Sequence, residues 1–531
     1  MRFLFCGGGA TDESGAIPPS RRALDAPPMK SSDIVTGPKV RQAARSSTSR
    51  DALWVSGARL VSQICGIGAL LIAARILSPA QVGVFAMISA MVLLQSKVAE
   101  AGWSEYLIAA PRGKELPGTL LYCALASGVA FTLLGLCGLA IWFVWLEPEG
   151  ATFLTLLLLM ATIAPGTFII CQSGVLVRAR RLRDIACYQA VSELCGLLVT
   201  AGGLLLGWDI VALAAGRCCV VLVALVMATR FARWLPRWEF RLSVAREASG
   251  YSARLLMSRL IQFAQSYGAE FLIVFFIGVT EVGLYRIASR MVGAVTELVS
   301  EPVRMLAWSY FSRQQGDAGG REGLSRLTGL MLAATAFAAL PVFLGLAVVA
   351  QKLVHVLLGE LWIAAAPVLV LLAAARGIAV VQMLNEPVLS IIGRVALLPR
   401  LNMLFTAVSL TCLAIAGLIR PELLDIAVSQ VVAAVLTTAT SLHVLQRGTG
   451  FCWPSLLRRI LPAGLGACLM AAAVGVFFQT TGGFHLLPVM ELLVAVVLGG
   501  LVYGVIAWTS GHALMAELSD VTEATAAPRV S

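Results

Sequence analysis

A series of apolar runs occupies this chain from Ala52 to residue 509 and limits its fold more than any other feature. Each run has about 20 residues, the length that lets a helix cross the hydrocarbon of a bilayer. Closed β-barrels also span membranes, but their strands alternate between apolar and polar residues, and these runs do not. We predict an all-α membrane protein of about 14 transmembrane helices, near 52–74, 82–108, 117–145, 151–176, 187–207, 209–229, 251–277, 281–308, 328–350, 362–386, 397–418, 421–445, 456–478 and 487–509.

The composition supports this interpretation, because 59% of the residues are hydrophobic and only 13% are charged. Soluble domains are about 45–50% apolar and about 25% charged, so a soluble enzyme is excluded. The net charge of +11 would suggest nucleic acid in a soluble protein. Here the basic residues lie in short loops between apolar runs, as membrane orientation requires. We expect membrane lipids as partners and no nucleic acid.

The distribution of Lys and Arg predicts the orientation. The even-numbered connections between predicted helices carry 19 such residues, whereas the odd-numbered ones carry 3, namely Arg75, Lys352 and Arg420. Loops rich in Lys and Arg stay in the cytoplasm, which places both termini there. One wrongly assigned helix would disrupt this alternation, so the split also supports the number of helices.

The polar ends of the chain are expected to be cytoplasmic tails, over residues 1–50 and 511–531. The first is rich in Ser, Pro, Gly and Arg and is predicted to be disordered. The apolar run at Met1–Cys6 is too short for a signal peptide, so the first membrane helix is expected to direct insertion. Met1 and Met29 are both candidate start residues, and the unusual composition before Met29 favours the second.

The chain matches itself without gaps when it is shifted by 200 residues. Segment 58–92 lies over 258–292 with 9 identities in 35 positions, among them Gly83 with Gly283. A shift of six helices preserves the direction of each helix, so the repeat is parallel. It predicts two six-helix bundles, over 51–240 and 241–445, around a central cavity. A helix pair at 446–510 lies outside the repeat.

Two segments of this repeat carry a resemblance to a known family. The run LIAARILSPAQVGVF, from Leu71 to Phe85, resembles the N-terminal signature of the polysaccharide transporter family, and TEVGLYRIA, from Thr280 to Ala288, repeats it in the second half. That family belongs to the multidrug/oligosaccharidyl-lipid/polysaccharide superfamily and includes Wzx-type flippases for lipid-linked oligosaccharides. The resemblance covers about residues 50–445.

The resemblance implies a flippase or exporter in the bacterial inner membrane. Its substrate would be an undecaprenyl-pyrophosphate-linked oligosaccharide, moved by alternating access from the cytoplasmic to the periplasmic leaflet for exopolysaccharide or lipopolysaccharide biosynthesis. A polysaccharide polymerase is a candidate partner. The matching residues are mostly helix-packing and turn positions, so candidate site residues must come from physical reasoning.

Charges inside the predicted helices provide those candidates. An ionisable side chain in a membrane helix costs about 2.5–3.5 kcal/mol and usually faces a cavity or a partner. At about 100° per residue, five charged residues of the eighth helix fall within about 60° over a length of about 27 Å. This stripe consists of Arg286, Arg290, Glu297, Glu301 and Arg304. Polar residues of the tenth helix add Arg376, Gln382, Asn385 and Glu386.

Two interpretations of these charges remain open. The stripe can form internal salt bridges that fix helix packing, or it can form a cationic wall for a pyrophosphate-sugar headgroup, because Arg donates paired hydrogen bonds to phosphate. The substrate-binding candidates are Arg59, Lys97, Arg259, Arg286, Arg290, Arg304 and Arg376. The candidates for coupling to a proton or sodium ion are Glu100, Glu270, Glu297 and Glu301.

Other functions are weighed against the flippase. A multidrug or small-solute exporter of the same superfamily would favour an acidic, aromatic pocket, and a flippase for the peptidoglycan lipid precursor would also be cationic inside. A membrane enzyme would need catalytic groups in loops, and the periplasmic loops are short. The chain has no GxxxxGK[ST] loop for ATP and no Cys or His spacing typical of metal sites. We predict no enzyme activity and no cofactor, with energy supplied by an ion gradient or by consumption of the product.

Overall fold

The computed structural model describes residues 38–100, 102–110, 117–146, 150–232, 240–313, 320–481, 487–512 and 516–517. These residues form helices joined by short connections, and none of them forms a strand. The first half contains α1 (Pro38–Ile76), α2 (Pro79–Glu100), α3 (Trp103–Ala109), α4 (Pro117–Leu146), α5 (Gly150–Met160), α6 (Ile163–Arg178), α7 (Leu182–Leu205) and α8 (Asp209–Ala232). The second half contains α9 (Leu242–Phe276), α10 (Val279–Arg313), α11 (Gly320–Leu357), α12 (Ala365–Ala379), α13 (Asn385–Ile391), α14 (Leu397–Ile419) and α15 (Leu423–Thr449). The chain continues with α16 (Trp453–Thr481) and α17 (Pro488–Ile506).

These helices correspond to the fourteen predicted spans, three of which are interrupted. The second span is α2 with α3, the fourth is α5 with α6, and the tenth joins α12 to α13 through the 3-10 turn Val380–Leu384. Twelve of the fourteen described segments are long and apolar enough to cross a membrane by length and composition alone. The exceptions are α9 and α10, which are long enough but carry the charged candidates. The all-α membrane fold is therefore confirmed.

The signature segment of the first half forms a helix start. The Ser78 backbone N–H donates to Gln81 Oε1 at 2.9 Å, and the Gln81 N–H donates to Ser78 Oγ at 3.3 Å. This reciprocal pair is a capping box, and Pro79 between them provides a φ that suits the first turn of α2. The motif Ser-Pro-Ala-Gln thus fixes where the second membrane helix begins.

The parallel repeat is visible in the packing. Contacts of α4 with α6, α6 with α8, and α7 with α8 in the first half correspond to contacts of α11 with α12, α12 with α15, and α14 with α15 in the second. The final pair, α16 and α17, packs on α11 instead. There Lys352 Nζ lies 2.6 Å from Glu491 Oε2, and the Tyr503 hydroxyl donates to the Phe337 carbonyl at 2.8 Å.

The end of α1 is tied to the connection that follows α11. The indole of Trp362, which is fully buried, donates to the Ala74 carbonyl oxygen at 2.7 Å. Arg75 Nε donates to the Leu357 carbonyl at 2.9 Å, at the C-terminal end of α11 where carbonyl groups lack helical partners. Arg75 was expected only as a loop charge, and it instead caps a helix of the other half.

One part of the prediction for the N-terminal tail is wrong. Residues 38–50 were expected to be disordered, but α1 begins at Pro38 and includes them. This stretch contains Ala, Arg and Gln, which favour helix, and no Gly or Pro after Pro38. The rest of that tail, residues 1–37, lies outside the described residues, as does most of the expected C-terminal tail.

Candidate functional site

Helix α10 lies where the two halves of the chain meet. It packs on α2 of the first half and on α9 and α12 of the second. The crossing with α2 depends on Gly83 and Gly283, because a Cβ on either would overlap the backbone carbonyl of Val279 or of Pro79, respectively. The charged stripe is therefore carried by a helix that both halves contact.

Arg286 and Glu270 form a buried ion pair between α10 and α9. Arg286 Nη1 lies 2.6 Å from Glu270 Oε2, and the two side chains are 14% and 6% exposed. The guanidinium also lies 5.5 Å from the ring centroid of Tyr267, within the range of a cation–π contact. The charge of Arg290 acts on the same carboxylate from one turn further along α10. Arg286 and Glu270 are therefore enclosed by the protein, whereas Arg290 is exposed.

Glu297 connects α10 to the first half of the chain. Its carboxylate accepts a hydrogen bond from the side-chain amide of Gln63 on α1. Arg59 precedes Gln63 by one helical turn, and four residues change the direction of a side chain by only about 40°. The face of α1 that carries Arg59 is therefore the face that meets α10.

Glu301 and Arg304 pair with each other along α10. Arg304 Nη2 donates to both carboxylate oxygens, at 2.8 and 2.9 Å. The side chains are 50% and 40% exposed, and Arg304 also interacts electrostatically with Glu386 of α13. This end of the stripe is balanced in charge and open.

A second charged cluster joins the halves at the other end of α2. Arg259 Nη1 of α9 lies 3.0 Å from Glu100 Oε2, and its Nη2 contacts Glu105 of α3. Lys97 Nζ lies 2.9 Å from the same Glu100 oxygen. Arg259 and Glu270 are separated by about 16 Å along α9, at 1.5 Å per residue. The structure thus distributes the candidates over two clusters.

Three of the basic residues predicted to bind substrate lack an ion-pair partner among the described residues. Arg59 on α1, Arg290 on α10 and Arg376 on α12 are exposed, and none of them makes an ion pair or hydrogen bond with a described residue. Arg376 nevertheless lies near α10, because its charge acts on the hydroxyl of the buried Tyr285. These guanidinium groups are available to an anionic ligand.

Two polar residues of the tenth span have structural partners. Gln382 Nε2 donates to Thr437 Oγ1 at 2.9 Å, and Asn385 Oδ1 accepts from Ser441 Oγ at 2.7 Å. Both bonds join this span to α15 inside the second half. Gln382 and Asn385 therefore fix helix packing, whereas Arg376 and Glu386 of the same span stay exposed.

Sequence reasoning missed three residues that organise the clusters: Gln63, Glu105 and Tyr267. Helical spacing offered a signal for two of them, because Gln63 shares a face with Arg59 and Tyr267 lies one turn before Glu270. Nothing in the sequence marks Glu105 as a partner of Arg259, since the two are 154 residues apart.

Among the described residues there is no group of three or more His, Cys, Asp or Glu side chains that could hold a metal ion.

Comparison with known sequences gives a consistent result. The family model for polysaccharide biosynthesis protein matches residues 72–367. The succinoglycan biosynthesis transport protein ExoT of Rhizobium meliloti (strain 1021) is 25% identical over 461 residues, which cover 85% of this chain and 91% of that protein. The teichuronic acid biosynthesis protein TuaB of Bacillus subtilis (strain 168) is 29% identical over 163 residues, 30% of this chain and 33% of that protein.

Solved structures share the fold. The lipid II flippase MurJ in an inward closed conformation superimposes with a TM-score of 0.69, at 13% identity, over 87% of this chain and 100% of that one. An inward-facing multidrug resistance transporter of the MATE family, in the MOP superfamily, gives 0.54 at 16% identity over 73% of this chain and 96% of that one. At identities this low, the likeness shows a common fold only. The substrate must be inferred from the chemistry of the site residues.

Proposed function

The chain belongs to the polysaccharide biosynthesis protein family, and we propose that it flips a lipid-linked oligosaccharide from the cytoplasmic to the periplasmic leaflet of the bacterial inner membrane. The lipid carrier is undecaprenyl pyrophosphate, and the product serves exopolysaccharide or lipopolysaccharide synthesis. The likeness to ExoT over most of both chains supports transport and not catalysis as the activity.

The observation that carries this proposal is the trio of unpaired arginines, Arg59, Arg290 and Arg376. A charged side chain in a membrane helix is costly unless a partner or water compensates it, and most other charged candidates have such a partner within the chain. A pyrophosphate group supplies the missing negative charge. The planar guanidinium donates two parallel hydrogen bonds to phosphate oxygens, so these three residues hold the headgroup between α1, α10 and α12.

The contacts between the halves support alternating access. One end of the bundle is closed by the α2–α10 crossing and by the bonds from Arg75 and Trp362, and the other end by the Arg259 cluster. The distribution of basic residues supports a topology with the first end in the periplasm, the second in the cytoplasm and both chain termini cytoplasmic. We propose that 51–240 and 241–445 act as the two moving lobes and that 446–510 accompanies the second. A periplasmic polymerase that consumes the product would draw the reaction forward.

Depletion of the protein tests this function. Lipid-linked oligosaccharide should then accumulate in the cytoplasmic leaflet, where a membrane-impermeant reagent that oxidises sugars cannot reach it in intact spheroplasts. Chemical identification of the protected lipid separates a polysaccharide precursor from the peptidoglycan precursor. Unchanged labelling of both lipids, together with increased sensitivity to cationic drugs, would contradict the proposal and indicate a multidrug exporter.

A further inference from the structure

A basic cavity lies away from the candidate transport site, between the start of α11 and the start of α16. Its volume is about 400 Å³, and the α15–α16 connection closes one side. Two arginines and two serines line it, namely Arg326, Arg459, Ser325 and Ser455, and Glu322 lies at the same rim. In the topology proposed above, this cavity opens at the cytoplasmic surface of the membrane.

Arg459 already forms an ion pair with a carboxylate of the same chain at this cavity. Its guanidinium crosses from α16 to α11, with Nη1 3.6 Å from the position that a Cβ on Gly329 would take. Its Nη2 lies 2.6 Å from Glu517 Oε2, a carboxylate of the C-terminal segment. The side chain is therefore held in place and directed toward negative charge.

The other donors have no partner within the described part of the chain. Arg326, Ser325 and Ser455 make no hydrogen bond or ion pair there, although Glu322 stands one helical turn before Arg326. The first turn of α16 adds the partial positive charge of a helix N-terminus to the same space. Two arginines and two hydroxyls thus converge on a cavity of the size of a phosphate-containing headgroup.

The cavity lies beside a residue typical of the membrane interface. Phe451, which lines the cavity, packs edge-to-face on Trp453 at the start of α16, with the ring centroids 5.3 Å apart. Trp is enriched at the level of the lipid headgroups. The cavity therefore opens where such headgroups lie.

We propose that this cavity binds the headgroup phosphate of an anionic phospholipid of the cytoplasmic leaflet, in competition with the carboxylate of Glu517. Basic pockets between membrane helices on the cytoplasmic side bind such headgroups. The position of the cavity beside Trp453, at the level of the lipid headgroups, favours a lipid phosphate over a free one. In this proposal the Glu517 carboxylate pairs with Arg459 when lipid is absent, and the lipid phosphate takes its place when lipid binds.

Lipid binding to the purified full-length protein tests the proposal. In mild detergent, native mass spectrometry would count bound dioleoyl phosphatidylglycerol and, separately, dioleoyl phosphatidylcholine, and inorganic phosphate would be added as competitor. Arg326→Gln should weaken phosphatidylglycerol binding about fivefold, the effect of one basic residue at a membrane surface. Glu517→Gln should strengthen it, because the competing carboxylate is lost. Arg458→Gln is the matched control, since this exposed neighbour does not line the cavity.

Three results would overturn the proposal. These are equal binding of phosphatidylcholine, equal losses in Arg326→Gln and Arg458→Gln, or displacement of the lipid by millimolar phosphate. The readout is binding and does not depend on transport. Failure of this site would therefore leave the flippase proposal intact, and a failed flippase assay would leave this site intact.

Discussion

Gly83 and Gly283 face each other across the crossing of α2 and α10, where a Cβ placed on Gly283 would lie 3.1 Å from the backbone nitrogen of Gly83. The contact is reciprocal, because each glycine lies against a carbonyl group of the other helix, that of Val279 or of Pro79. Both pairs of equivalent residues differ by 200 positions, the shift of the sequence repeat. The axis that relates the two halves therefore passes through this crossing.

Alanine at either glycine should disrupt the crossing. We expect Gly83→Ala and Gly283→Ala each to destabilise the protein by about 1–3 kcal/mol, as overpacked sites do, because backbone cannot move aside as a side chain can. Thermal unfolding in detergent measures this. Gly500→Ala on α17 is the control, since a Cβ there meets nothing within 4 Å. Equal stability of all three variants would contradict the close approach.

The buried pair Arg286–Glu270 should respond differently from the open pair Arg304–Glu301. Arg286→Gln leaves a buried carboxylate unpaired and should cost about 3–5 kcal/mol, whereas the double variant Arg286→Gln/Glu270→Gln should recover most of that loss. Glu301→Gln should cost less than about 1 kcal/mol, because its side chain is half exposed. Thermal stability again provides the measurement. Additive losses in the double variant would show that the two groups do not interact.

Arg259 should hold closed, through Glu100 and Glu105, the end of the bundle that we propose faces the cytoplasm. A cysteine in place of Ser252, which is only 3% exposed and lies on α9 beside this cluster, reports opening. With the twelve native cysteines replaced by alanine, Arg259→Gln should increase maleimide labelling of Ser252→Cys several-fold. Ser441→Cys, buried within the second half, should stay unlabelled with or without Arg259→Gln. Unchanged labelling at position 252 would remove Arg259 from the gate.

The orientation can be measured with reporter fusions. A phosphatase fused after Glu149 should be active in the periplasm, and one fused after Arg183 should be inactive, because the cluster of Arg178, Arg180, Arg181 and Arg183 predicts a cytoplasmic connection. The reverse pattern would contradict the proposed topology and would place both chain termini in the periplasm.

Much of the fold could be predicted from the sequence, because spans and their direction are local properties. Hydropathy and the alternation of basic loops are sufficient to predict fourteen spans. These include α9 and α10, although charged residues make both helices less apolar than the others. The register between Gly83 and Gly283 identified the repeat because both halves kept residues at the same crossing. The helical extension over 38–50 was missed because polar composition suggests disorder even where every residue tolerates helix.

The candidate site could be predicted only in part. Helical spacing placed the five charges of α10 on one face, but the partner of each charge depends on helices distant in sequence. Arg259 meets Glu100 across 159 residues, and Gln63 meets Glu297 across 234. Only these contacts show which arginines form ion pairs and that Arg59, Arg290 and Arg376 do not. We therefore propose the unpaired trio, and not the stripe as a whole, as the cationic site for the substrate.

Flipping by purified protein in proteoliposomes tests that assignment most directly. The measurement is the initial rate at which a polyprenyl-pyrophosphate-linked oligosaccharide becomes accessible on the opposite leaflet, at matched protein incorporation, for wild type, Arg290→Gln, Arg290→Lys and the exposed control Arg230→Gln. Loss of charge-assisted hydrogen bonds should slow Arg290→Gln about tenfold or more. Arg290→Lys should recover only part of the rate, because it keeps the charge and loses the planar fork, and Arg230→Gln should match wild type. A wild-type rate in Arg290→Gln would contradict the central claim that an unpaired arginine of α10 holds the pyrophosphate headgroup.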